Sequence, residues 1–162
     1  MSPMMQGQDN DATTGVFGCL AATVIEEKIR LRIVDDHPIV RFGLTALLGL
    51  QEDFEIVGTA EGGEAALAPL ASRAIDIILL DLRMPGYSGI QTLEKTRAVA
   101  PKVRTIVLSC FECDEEIYAA VEAGARGYLH KEAPSDEILS AIRSVHAGRQ
   151  AFPRRVAERL SE

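Results

Sequence analysis

Asp81 stands at the end of Ile77-Ile78-Leu79-Leu80, an apolar run without polar alternation that opens into Leu82-Arg83-Met84-Pro85-Gly86. Such a run reads as a strand buried on both faces. Ligands of open α/β sheets collect beyond the carboxyl ends of the strands, so an acid there is a candidate site residue. Asp35 and Asp36 close an earlier apolar segment, Ser109 closes a later one, and Lys131 follows the last. Three carboxylates in one pocket repel one another and raise some of their pKa values. A hard ion such as Mg²⁺, which prefers oxygen ligands, relieves that repulsion. Lys131 offers a point positive charge for a phosphate or carboxylate, and Ser109 a hydroxyl donor. Two chemistries fit these residue types. One is phosphoryl transfer onto Asp81, with metal and lysine neutralising the transferring group; the other is a generic anion pocket.

These side chains can meet only if several strand ends lie side by side. Ile29, Leu31, Ile33 and Val34 predict a first strand, residues 55–60 a second, 76–80 a third, 103–108 a fourth and 127–130 a fifth. Between them, Pro38 suits a first helical position, with Val40, Leu44, Leu47 and Leu48 on one face. Residues 62–73 predict a second helix, although Pro69 would kink or shorten it. Ser88 and Gln91 have capping-box spacing for a third. Asp114 is placed to cap a fourth that Gly124 stops, and Ile138, Leu139, Ile142 and Val145 define a fifth that ends at Gly148. Strictly alternating strands and helices predict a doubly wound parallel α/β sheet with helices on both faces. In the flavodoxin-like order 2-1-3-4-5, strands one and three are neighbours at the switch point, which would bring Asp35, Asp36 and Asp81 together. Val156 and Leu160 fall on one side of a short charged segment after Pro153.

Bulk composition narrows the field. The chain has 162 residues, 47% of them hydrophobic, and a net charge of −7. That length suits one domain, and the charge argues against gripping a nucleic-acid backbone unaided. No apolar stretch reaches the roughly 20 residues needed to cross a bilayer. The apolar segment 16–25 follows Asp9 and Asp11 without Lys or Arg, the wrong charge for a signal peptide. Three cysteines fit a reducing, cytoplasmic setting rather than a disulfide framework. Residues 1–27, rich in Gly, Gln, Asp, Asn and Thr, are expected to be a disordered extension.

Taken in order, Asp35-Asp36, Asp81 to Gly86, Ser109 and Lys131 resemble the receiver domain of bacterial response regulators, over residues 28–148. Residues 34–44 (VDDHPIVRFGL) and 123–131 (AGARGYLHK) resemble its NarL/FixJ, or LuxR-type, subfamily. The resemblance implies a (βα)5 three-layer sandwich and a protein that takes a phosphoryl group from a histidine kinase without being an enzyme in its own right. It implies that Asp81 is the phosphoacceptor, that Asp36 and Asp81 ligate Mg²⁺, that Asp35 does so through water, and that the Arg83 carbonyl completes the site. Lys131 would hold the phosphoryl group, while Ser109 and Tyr128 would be a switching hydroxyl and aromatic. Phe111, two positions after Ser109, would lie close enough to tune phosphoryl lifetime together with Arg83.

The same resemblance implies a homodimer and control of transcription through a C-terminal DNA-binding domain. Residues 149–162 would then begin the linker helix to an output domain absent from this chain. Two other readings compete. A stand-alone or phosphorylation-independent interaction module would not need all of the acids, the serine and the lysine. An aspartyl phosphohydrolase would want a second acid two residues past the nucleophile, where Arg83 stands. Taken alone, Asp35-Asp36 read as helix-capping acids, and Cys110-Phe111-Glu112-Cys113 as two unrelated cysteines rather than a redox or zinc motif. His37 and His130 read as solvated.

Overall fold

The computed structural model describes residues 27–67, 74–86 and 88–161. Strands β1 (Ile29–Val34), β2 (Phe54–Ala60), β3 (Ile77–Asp81), β4 (Arg104–Ser109) and β5 (Gly127–His130) alternate with helices α1 (Pro38–Gly49), α2 (Gly63–Leu67), α3 (Gly89–Val99), α4 (Asp114–Ala123) and α5 (Ser135–His146). A sixth helix, α6 (Arg154–Leu160), follows. All strand pairs are parallel, as expected from the alternation, and the order β2-β1-β3-β4-β5 is the flavodoxin-like one. β3 is buried along its whole length, which is why its sequence carries no polar alternation.

Two apolar layers flank the sheet. Leu31, Ile33, Ile77 and Leu79 face α1 and α5 through Leu48, Ile138 and Ile142. Val34, Ile78, Leu80 and Val107 face α2, α3 and α4 through Ala66, Leu93, Ile117 and Ala120. Successive side chains of β3 and β4 alternate between these layers, the period-two rule applied to a sheet covered on both sides; a register shift opposite Leu31 and Arg32 breaks it in β2.

Several termini form as the sequence predicts. Pro38 opens α1, and Ser88 and Gln91 form a reciprocal capping box at α3. Gly124 ends α4 at φ 110°, where its left-handed conformation carries no Cβ penalty. One cap differs from expectation. Cys113, not Asp114, is the N-cap of α4 and makes no side-chain cap bond. The Asp114 carboxylate turns instead to Arg155 of α6, at 2.9 Å. Strands β3 and β4 each run one residue later than predicted, so Asp81 and Ser109 are their last residues rather than the first of the loops. The second helix is described only to Leu67; Pro69 and most of the N-terminal extension lie outside the described residues.

At the other end of the strands, Asp76 accepts from the Arg30 backbone N–H at 2.8 Å and from its guanidinium at 3.3 and 3.4 Å. Burial works against the Asp76 charge, but these bonds outweigh it and lower its pKa. After α5 the chain returns to the sheet: Ala151 bridges Gly127, and the fully buried Val156 of α6 joins the Tyr128 layer.

Candidate functional site

Register aligns the site. Val34 pairs with Leu80 and Asp81 with Leu108, so Asp35 and Asp81 leave adjacent strands at one level. Ser109 pairs with His130, which brings Lys131 to the same rim. Asp35, Asp36, His37 and Asp81 each offer a ligand atom, all within 4.8 Å of one another. The Lys131 ammonium lies 2.7 Å from Asp35 Oδ2 and 3.3 Å from Asp81 Oδ2. Asp35, Asp36, Asp81 and Lys131 therefore lie together, and Ser109 ends the neighbouring strand at the same rim; Asp35, Asp81 and Ser109 are almost fully buried.

The electrostatics oppose the acids unequally. Burial raises the Asp81 pKa, and the Asp35 charge adds to it; the Arg83 N–H at 3.2 Å and Lys131 pull the other way but do not prevail. For Lys131 burial disfavours the charge, yet Asp35 and Asp81 outweigh it and raise its pKa, so the lysine stays protonated. A raised pKa at Asp81 means that its ionisation costs folding stability. That stability is fully present below the unfolded value of roughly 3.9 and is lost as pH rises through the folded-state value. At neutral pH and without divalent ions, Asp81→Asn is therefore expected to stabilise the fold. Urea denaturation of the two proteins in chelator measures it, and an unchanged or lower midpoint would contradict it.

The donor set suits a hard cation. Asp36 Oδ1 and Asp81 Oδ2 are buried oxygens without an aligned hydrogen bond; their near contacts are His37 Nδ1 at 3.1 Å and the Lys131 ammonium at 3.3 Å. Buried carboxylate oxygens left in this state are costly unless a cation meets them. Oxygen-only ligation with room for water is what Mg²⁺ favours.

Ser109 and Tyr128 act on the same short loop. Ser109 Oγ accepts from the Phe111 N–H at 3.1 Å, and the Tyr128 hydroxyl donates to the Phe111 carbonyl at 2.8 Å. Tyr128 is fully buried, and that burial raises its pKa. The Arg83 guanidinium lies 3.9 Å over the Phe111 ring and pairs with Glu116 at 2.6 Å. Glu116 also lies 3.4 Å from the Tyr128 hydroxyl. The pocket mouth and the buried aromatic are thus joined through one acid.

Three residues escaped the sequence reading. His37 is not simply solvated: its Nδ1 lies 2.9 Å from Asp35 Oδ1 and 3.1 Å from Asp36 Oδ1. The Asp-x-His spacing, which lets an Asp side chain accept from the backbone two residues on, could have revealed it. His130 Nε2 meets the Cys110 carbonyl at 2.8 Å, tethering the β4–α4 loop. Gly89 packs against the exit of β3, and no sequence signal marked it. Cys110 and Cys113 are both free and exposed.

A flavodoxin-order α/β domain with an acidic, lysine-clamped pocket at its switch point is the class that fold and site define. A family model for the response regulator receiver domain matches residues 31–143, and the chain belongs to that family. It is 40% identical over 134 residues to the nitrate/nitrite response regulator protein NarP of Escherichia coli K12, covering 82% of this chain and 62% of NarP. The structure is similar to a LuxR-family two-component response regulator from Aurantimonas sp. SI85-9A1, with 30% identity, coverage of 83% and 96%, and a TM-score of 0.77. It is similar too to the signal receiver domain of NarL from Mycobacterium tuberculosis, with 35% identity, coverage of 76% and 100%, and a TM-score of 0.73. The chain spans 57–62% of the length of the NarL and NarP proteins it matches. It is a receiver domain of the NarL type of two-component response regulators, and among the described residues no helix is long and apolar enough to cross a membrane.

Proposed function

We propose that this domain is a phosphorylation-dependent switch whose Asp81 accepts a phosphoryl group from a sensor histidine kinase. The observation that carries this reading is a buried Asp81 oxygen that lacks an aligned hydrogen bond and stands 3.3 Å from the Lys131 ammonium, beside Asp35 and Asp36. Asp36 and Asp81 would hold Mg²⁺ directly, with Asp35 acting through water and the Arg83 carbonyl as a further ligand. Bound there, the ion would neutralise charge on the transferring group. Lys131 supplies the second positive charge, and Asp35 keeps it aimed.

Phosphorylation adds roughly −1.5 to −2 charge and three acceptor oxygens. Ser109 would then leave the Phe111 N–H for a phosphoryl oxygen, and Tyr128 would respond through the Phe111 carbonyl. The population shifts only by the difference in binding between the two arrangements. The contact of Arg83 on Phe111 at the pocket mouth supports a role for both in tuning phosphoryl lifetime.

The domain spans 28–148, after an N-terminal extension over 1–27, and 149–162 leads toward an output domain. That output would be DNA binding by a C-terminal domain of a homodimeric, cytoplasmic transcription regulator. The receiver would have no catalytic turnover beyond forming and losing its own aspartyl phosphate. Incubation with Mg²⁺ and acetyl phosphate tests the central claim. A base-labile phosphoryl mass gain that requires Mg²⁺ is expected; its absence, with the fold intact, would favour the phosphorylation-independent interaction module.

A further inference from the structure

At the end of the sheet opposite Asp81, the start of β4 and the facing ends of α3 and α4 enclose a cavity of about 580 Å³. Arg97, Lys102 and Arg126 line it with positive charge, and no acid lines it; Arg104 contributes at the start of β4, but its guanidinium turns to the end of α5 on the other face of the sheet. In a chain of net charge −7 this runs against the average surface. Among the described residues none of these three forms an ion pair, although Arg30, Arg41, Arg83, Arg143, Arg154 and Arg155 all do.

One of the guanidiniums is positioned without being neutralised. Arg97 Nη1 donates to the Glu122 carbonyl at 2.9 Å, and its side chain lies across Gly124, 3.1 Å from where a Cβ would stand. Its remaining N–H groups form a fixed fork of the kind that grips phosphate in bidentate fashion. Leu93, Val103 and Val121 give the same cavity an apolar wall. One sign of charge over low-dielectric walls focuses the field and concentrates counter-ions. The volume lies within the roughly 300–1,000 Å³ of small-molecule sites.

We propose that this cavity binds a small polyphosphate anion with a planar, partly apolar body, of the nucleoside di- or triphosphate class. Clustered phosphates answer three cations outside any ion pair, and the base answers the apolar wall. Gln150 stands at the rim, and the next residue, Ala151, donates its N–H to the Arg126 carbonyl at 2.9 Å. An occupant would therefore touch the segment that leads into α6. The proposal is independent of phosphorylation at Asp81.

Isothermal titration of the full chain with ATP, in chelator, tests it. Saturable binding that weakens as salt rises is expected, because exposed charge pairs are screened. Arg97→Gln should weaken it at least tenfold. Arg126→Gln, whose side chain bonds to no described residue, leaves the fold untouched and should weaken it several-fold. Asp81→Asn should bind as the parent does, while adenosine alone should not bind and tripolyphosphate should bind more weakly than ATP. Absence of binding, or equal binding by the parent and both arginine variants, would overturn the site. Tripolyphosphate binding as tightly as ATP would overturn the nucleoside assignment.

Discussion

Asp81→Asn is expected to abolish phosphoryl acceptance, reducing the acetyl phosphate-dependent mass gain to below about one part in a hundred of the parent, since an amide is not a nucleophile. Neighbouring acids are poorly placed to substitute. Asp35 has one oxygen on the Lys131 ammonium at 2.7 Å and the other on the His37 N–H at 2.9 Å, so both are engaged. Asp36 stands one residue beyond the strand-end position and shares His37 with Asp35. Asp81 combines a buried oxygen whose one near partner is the Lys131 ammonium with a carboxyl whose pKa burial raises. The asparagine variant should remain folded, and more stable than the parent without divalent ions, so a lost signal cannot be put down to unfolding. Intact-mass spectrometry with and without base treatment makes the measurement. An undiminished adduct on the variant would move the acceptor elsewhere and sink the assignment.

Gly89→Ala is expected to destabilise the domain by about 3 kcal/mol or more, the upper part of the range for overpacking. A Cβ on Gly89 would stand 2.3 Å from Leu82 Cα and 2.8 Å from the Asp81 carbonyl oxygen. These are backbone atoms, which cannot rotate away as a side-chain tip can. The Gly89 N–H also donates to the Leu82 carbonyl at 2.9 Å, so the first turn of α3 is pinned against the exit of β3. Relief of the clash must move either α3 or the segment that carries Asp81, so the folded fraction should also accept phosphoryl groups more slowly. Gly43→Ala is the control. Gly43 lies within α1 with nothing inside 4 Å of its Cβ position, and a change there should gain roughly 0.5–1 kcal/mol from helix propensity. Thermal unfolding of both variants decides the matter, and a Gly89→Ala midpoint equal to the parent would refute the close-packing argument.

Legibility varied with the physical range of the interaction. The capping box at Ser88 and Gln91 and the stop at Gly124 depend on residues a few positions apart, and both formed as expected. Asp114 looked like a cap for the same local reason, but Arg155, 41 residues away, takes its carboxylate. His37 and His130 each looked idle because their partners, the acid cluster and the Cys110 carbonyl, assemble only when strand ends converge. Gly89 carried no signal, since its constraint is a contact with another element rather than a backbone torsion.

The sequence by itself determined the strand count, the parallel α/β class and the identity of the strand-end residues, because buried runs and polar breaks are local patterns that period and composition expose. The tertiary structure alone decided which oxygens Lys131 holds, which lack an aligned hydrogen bond, how Ser109 and Tyr128 both grip Phe111, and that three cations outside any ion pair share one cavity at the far end of the sheet. Those outcomes turn on ångström-scale distances between segments tens of residues apart, and such distances exist only once the sheet has closed its register.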